Sequence, residues 1–441
     1  MLNSDAASLV AGYCSDTRRA FACVSKDWSH YFSANDAVWK QSLAADFQIQ
    51  ELVGPGTEPK GQCLVLEPKR TYREAWLSWR RFELVLLAKG SERRIVWGGI
   101  WLRAIRAFQG IRAELELEDC LRGANLRPGE CVVPPKLIER FANQPQTLET
   151  IRAIWGTHDG QEPGLRSAGL FGVTQFYNHT RALRMLSMRE MSNELNNEFT
   201  LVIAKSNTRT PPQREERLCF DPRELQIGNS YQTQARSFNS LVFPIRADVL
   251  LVLFETFCKE LREEKRTVCM QDGARHLTSF ARFGGGELGN WSSITTNGIT
   301  VTVACKYIPT QHQGRDLFVY QIRISANAQV TVPVMLVSRH WTFVDSLLPD
   351  NPEVVEGEGV VGKFPIFHGE ARHGEVFPTL GNIRWHSGEF SYQSCTYAHP
   401  KSYMQGHFTF APITPNQTLD LGNAFPVQVG RVSLCLPLFA Y

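Results

Sequence analysis

Two neighbouring stretches, ITVTVACKYI at residues 299–308 and FVYQIRI at 318–324, decide the fold of the part of the chain in which they lie. In the first, Ile299, Val301, Val303, Cys305 and Tyr307 alternate with polar or small residues. In the second, Phe318, Tyr320, Ile322 and Ile324 do the same. Successive side chains of a strand point to opposite faces, so a period of two predicts strands with one buried face. Phe408 and Phe410, then Val427 and Val429, then Val432, Leu434 and Leu436 continue the alternation. Many short strands with turn residues between them and no helical period predict an antiparallel two-sheet sandwich over residues 291–441.

Upstream the period lengthens. Trp76, Trp79, Phe82 and Leu86 share one helical face, and so do Leu148, Ile151 and Trp155. Leu137, Ile138 and Phe141 follow a Pro-Pro start, where proline is well tolerated. Residues 199–204 read as a strand and 248–265 as a long helix, which makes 71–280 an α+β domain. Ahead of it, Phe21, Val24 and Trp28 fall on one short helix. Trp39, Leu43 and Phe47 fall on another, with Asp36 in position to cap it. Residues 1–50 thus read as a small helical domain, too short to bury all its apolar surface alone and so expected to meet a partner. The intervening VGPGTEPKG, 53–61, reads as a break in regular structure, and 51–70 as a linker.

Composition narrows the class. The chain has 441 residues, 43% apolar and 21% charged, which excludes collagenous, coiled-coil and wholly disordered architectures. Its 47 basic and 44 acidic residues leave a formal charge of +3, too balanced for a dedicated nucleic-acid binder. The apolar run 249–254 falls far short of the ~20 residues of a membrane-spanning helix, so no membrane partner is expected. The opening MLNSDAASLV lacks the basic and apolar regions of a secretory leader. Eleven cysteines stand singly with no CxxC pair, which favours a reducing compartment, cytoplasmic and/or nuclear.

Gly357-Glu358-Gly359-Val360-Val361-Gly362 matches GxGxxG. A dinucleotide site needs that run to open a helix, but Lys363-Phe364-Pro365 follows, and proline and the aromatics oppose one. The run reads instead as a glycine-rich bend between strands, whose exposed amides, with Arg339 or Lys363, would suit a small anion. His368, His373, His386, His399 and His407 match no metal-ligand spacing and read as loop and surface residues. His158-Asp159 sits in a turn-like run without a partner nucleophile, and neither GxSxG nor a carboxylate pair stands out. No catalytic residue, metal or cofactor is therefore expected. The mixed-sign run KELREEKR, 259–266, reads as a solvated helix face.

Three resemblances add to this reading. Residues 9–47, with Val24, V-S-K-D-W ending at Trp28 and D-A-V-W ending at Trp39, resemble an F-box, although Leu2-Asn3-Ser4-Asp5 stands where Leu-Pro usually opens that motif. His158-Asp159-Gly160-Gln161, Gly169-Leu170-Phe171-Gly172 and Tyr177 resemble a SUKH domain. Arg323-Ile324, Ser338-Arg339-His340-Trp341, the run Val354 to Pro365, Phe390-Ser391-Tyr392-Gln393-Ser394-Cys395 and Met404 to Phe410 resemble an ApaG domain, with a longer insertion from His368 to His386. The resemblances imply a multidomain α+β protein: an N-terminal helical F-box, a central α+β SUKH-like domain and a C-terminal β-sandwich of fibronectin-III/Ig-like type. They also imply a non-catalytic substrate receptor of an SCF-type cullin–RING ubiquitin ligase. Its partners would be a Skp-type adaptor, a cullin and a protein target of unstated identity. Val24, Trp28 and Trp39 would serve the adaptor. Arg339, Trp341, Gly357, Gly359, Gly362 and Lys363 would serve a target or a small anion. The alternative is a small-anion, nucleotide or pyrophosphate-binding protein that uses the glycine bend.

Overall fold

The computed structural model describes residues 35–57, 64–88, 98–115, 133–157, 170–176, 179–195, 201–206, 216–221, 225–231, 239–240, 246–263, 266–271, 274–281, 290–369, 376–377, 383–384 and 389–434. In chain order come helix α1 (Asp36–Phe47), strands β1 (Val53–Thr57) and β2 (Leu64–Pro68), and helices α2 (Tyr72–Ala88), α3 (Gly98–Leu115), α4 (Pro135–Arg140) and α5 (Pro145–Thr157). Next are β3 (Val173–Phe176), β4 (His179–Met185), α6 (Met188–Asn193), β5 (Leu201–Ser206), β6 (Glu216–Asp221), β7 (Gln226–Tyr231) and β8 (Asn239–Ser240). Helix α7 (Val249–Arg262) and strands β9 (Arg266–Gln271) and β10 (Ala274–Ala281) complete this half. Strands β3 to β10 form one sheet in the order β8-β7-β6-β5-β4-β3-β10-β9, antiparallel except where β10 runs parallel to β3. The helices carry apolar faces onto one core that includes Trp79, Trp101, Trp155, Phe171 and Phe254.

Two boundaries differ from the sequence reading. The stretch read as a linker contains a hairpin, with β1 and β2 in register from Val53↔Pro68 to Thr57↔Leu64. It lies against α2, where the Ser78 hydroxyl donates to the Pro55 carbonyl (2.7 Å) and the Trp79 indole N–H donates to the Val53 carbonyl (3.0 Å). A Cβ on Gly54 would stand 2.6 Å from Cβ of Ser78. The glycine is there for close approach, which composition alone cannot distinguish from flexibility.

The second boundary, at residue 50, is bridged. Leu43, Phe47 and Ile49 belong to the same core as Trp79 and Trp101. Asp36 does not cap its own helix. The residue at that position is Asn35, which makes no side-chain cap bond, and Asp36 Oδ1 accepts the Tyr72 N–H (2.9 Å) at the start of α2. The Trp76 indole N–H donates to Asp46 (2.8 Å), a second tie between the two helices. The apolar side of α1 is thus covered by its own chain.

The C-terminal half holds β11 (Trp291–Thr296), β12 (Ile299–His312), β13 (Arg315–Ala326), β14 (Val334–Asp345), β15 (Leu348–Glu358) and β16 (Ile366–Phe367). The small pair β17 (Val376–Phe377) and β18 (Ile383–Arg384), then β19 (Glu389–Ala398), β20 (Ser402–Pro412) and β21 (Phe425–Leu434), follow. One sheet has the order β11-β12-β13-β19, the other β15-β14-β20-β21 with β16 also on β14, and every pair of neighbours in them is antiparallel. Ile299, Val301, Val303 and Cys305 of β12 and Phe318, Tyr320, Ile322 and Ile324 of β13 are buried against Leu336, Trp341, Phe408, Phe410, Val427 and Val432 of the facing sheet. Tyr307 packs at the rim of that core, and Leu436 lies outside the described residues. The opposite face of β12 and β13 is apolar as well: Ala304, Ile308, Leu317 and Val319 form a separate buried cluster. Strands β3, β9 and β10 approach β12 and β19.

Candidate functional site

Arg339, the glycines and Lys363 come together where β15 leaves the sheet. Strand β14 has an irregularity between Leu336 and Ser338, after which Arg339, Trp341 and Phe343 take the core-facing parity. Arg339 is paired with Gly357 across the strands. A Cβ on Gly357 would meet the guanidinium Nη2 at 2.9 Å, so glycine is what leaves room for it. Nη1 of Arg339 donates to the carbonyls of Gly359 (2.7 Å) and Glu358 (3.2 Å).

The bend then closes on itself. The Gly359 N–H donates to the Val337 carbonyl (2.7 Å), and Gly359 sits at φ +54. Val360 and Lys363 exchange N–H and carbonyl bonds at 2.9 and 2.8 Å around Val361 (φ +48) and Gly362 (φ +69). Paired positive φ angles mark a tight two-residue turn of the mirror-image kind. Three amides of the run and Nη1 of Arg339 are therefore committed to main-chain carbonyls. This geometry braces a turn, and those donors are spent on the chain itself rather than offered to an anion. Lys363 and Gly362 are exposed at its tip.

Trp341 is no surface contact. It is 1% exposed, 6.0 Å from Tyr320 and edge-on to Phe408 at 5.4 Å. The alternation of Trp341 with Phe343 carried that signal in the sequence. The structure adds Tyr392, whose hydroxyl is buried without a hydrogen-bond partner among the described residues. Burial pushes that phenol well above its ordinary value, Tyr320 adds to the rise, and Arg339 opposes it.

On the outer face of the same sheet, His340 stacks on His407 at 4.9 Å, and His340 Nδ1 lies 2.8 Å from Glu356. Burial and the neighbouring His340 hold the His407 imidazole below its usual range, against the pull of Glu356. The other histidines are engaged separately, His399 with Asp345 (2.7 Å) and His368 with the Thr331 carbonyl (3.0 Å). Burial raises the Asp345 carboxyl, but the Leu347 amide and His399 outweigh it and leave the group below its ordinary value. A cavity of about 280 Å³ opens there, lined by Arg315, Asp345, Glu353, Tyr397 and Ser402, and it includes none of the expected ligand residues. Among the described residues no three metal-ligating side chains converge. His373, His386 and the His158–Asp159 pair lie outside the described residues.

Of the three expected adaptor residues, Val24 and Trp28 lie outside the described residues. Trp39 is half-buried on α1, its ring 5.2 Å from that of Trp76 on α2.

A two-sheet antiparallel sandwich with a braced GxGxxG turn defines an ApaG-type module. The ApaG-domain family model matches residues 309–374. Protein ApaG of Anaeromyxobacter dehalogenans is 33% identical over 148 residues, which are 33% of this chain and 96% of that protein. Protein ApaG of Pseudomonas aeruginosa is 34% identical over 104 residues, 23% of this chain and 79% of that one. Through its C-terminal region, then, the chain belongs to the ApaG family. It is also similar to F-box only protein 3 of Homo sapiens, 33% identical over 151 residues that make up 33% of this chain. The match spans 27% of that protein, so about a quarter of the relative's length is covered. A crystal structure described as an ApaA protein from Bordetella pertussis covers 32% of this chain and 94% of its own at 24% identity, with a TM-score of 0.23.

Proposed function

We propose that the protein is the substrate-recognition subunit of an SCF-type cullin–RING ubiquitin ligase. The N-terminal helices dock a Skp-type adaptor, and the SUKH-like α+β domain and the ApaG sandwich present a protein target. The observation that carries this reading is the similarity of the ApaG region to F-box only protein 3. The F-box-like run ahead of an α+β domain and an ApaG domain is the order such a receptor requires.

The subunit on this reading performs no bond chemistry. Holding a target beside a ubiquitin-loaded enzyme raises effective concentration, and that alone accelerates transfer. A braced turn and a sealed sandwich suit this task, because a presenting surface must keep its shape. The site of action is cytoplasmic and/or nuclear.

Affinity purification of the tagged full chain tests the reading. A Skp-type adaptor and a cullin should co-purify. The double change Val24→Glu and Trp28→Glu should abolish their capture while far-ultraviolet circular dichroism and the melting temperature stay essentially unchanged. Undiminished capture by that variant would remove the F-box assignment.

A further inference from the structure

Strand β15 is the outermost strand of its sheet, and among the described residues nothing pairs with its far side. An open edge offers a row of main-chain donors and acceptors to any extended chain of matching chemistry. The Gly359 N–H, bonded to Val337, sets the parity along the strand. Val355 and Gly357 direct their main-chain groups to β14, and Val354 and Glu356 turn theirs to the open side, as does the N–H of Glu358, whose carbonyl is taken by Arg339. Pro349 and Pro352 have no N–H to offer, so the usable edge is Glu353 to Glu358.

Its charge selects the occupant. Residues 348–358 carry Asp350, Glu353, Glu356 and Glu358 and no basic residue. The Glu353 and Glu356 side chains are 61% and 72% exposed, with Arg315 3.9 Å from the former and His340 beside the latter. Val354 between them is 52% exposed. A second copy of this strand would set carboxylates against carboxylates, which disfavours self-pairing. A strand with alternate lysines or arginines would place its cations beside Glu356 and Glu358 and its aliphatic part beside Val354.

We propose that the open edge of β15 docks an extended basic segment of a protein partner by strand addition. This names the partner chemistry of the presenting domain and so rests on the receptor reading. Binding, however, is measurable without any ligase component.

The test uses the full chain and a labelled peptide of alternating lysine and valine, followed by fluorescence anisotropy. Two control peptides have glutamate for each lysine, or N-methylation at alternate amides. The basic peptide should bind, and both controls should fail. Glu356→Lys with Glu358→Lys should weaken binding by about tenfold or more, as expected for reversed charges at an interface. Amide exchange at Val354, Glu356 and Glu358 should slow when the peptide is added. Equal binding of the N-methylated peptide, or unchanged affinity in the double variant, would overturn strand addition. Adaptor capture is read separately: its loss with peptide binding intact would overturn the ligase reading alone.

Discussion

Single positions in the glycine motif have separable duties. Gly359 is held at φ +54, and a Cβ there would stand 2.6 Å from the Lys363 carbonyl oxygen. Gly362 has φ +69 and nothing within 4 Å of a Cβ. Gly362→Ala should therefore cost only the left-handed backbone penalty, about 1 kcal/mol. Gly359→Ala adds a main-chain clash, and should cost about 2–4 kcal/mol in total. Thermal unfolding of the two variants checks the order, and equal losses would show that the turn relaxes freely. The spacing of the three glycines was legible as a bend. That Arg339 occupies the room left by Gly357 was not, because the sequence carries no sign of which side chain crosses to which strand. The core place of Trp341 was missed: it was expected at a binding surface, although its alternation with Phe343 carried the signal.

Among the elements, helices with a sustained apolar face were readable: α2 and α5 form where their periodicity predicts, and α7 falls within the stretch read as a long helix. Legibility failed at the hairpin β1–β2, where Gly54 and Gly56 look like slack and instead permit close packing. Long-range polar ties were also invisible. Arg103 of α3 binds Glu255 of α7 through two bonds of 2.7 Å and Asp248 at 2.5 Å, and Arg246 also binds Asp248 at 2.5 Å. Burial raises the Asp248 carboxyl, but the two guanidinium groups more than offset it, so its folded value lies below the unfolded 3.8. A depressed carboxylate contributes stability that is fully present above the unfolded value and is lost as pH falls through the folded one. Chemical denaturation should thus show a loss of stability on acidification below about pH 4 that shrinks in Asp248→Asn. An identical acid slope in the variant would remove Asp248 from the account.

Across the whole molecule, the four-stranded sheet of the sandwich is apolar on both faces. Its second cluster, Ala304, Ile308, Leu317 and Val319, is buried where β3, β9 and β10 come close. Residues 291–441 expressed alone should expose that face, bind a hydrophobic dye more strongly than the full chain, and self-associate on size-exclusion chromatography. A monomeric, dye-silent fragment would show that the cluster needs no cover. The period-two pattern revealed the inward face but gave no hint of the outward one, since its cover comes from strands outside the sandwich, β9 and β10 just upstream and β3 far earlier in the chain. Separation in sequence also parts cause from effect at the front of the molecule, over 36 positions. The carboxylate of Asp36 completes the first turn of a helix that starts at Tyr72, and Phe47 is locked beneath Trp79. Helix α1 and the central body are consequently joined as carpentry joins beams, by bonds and packing rather than by a leash.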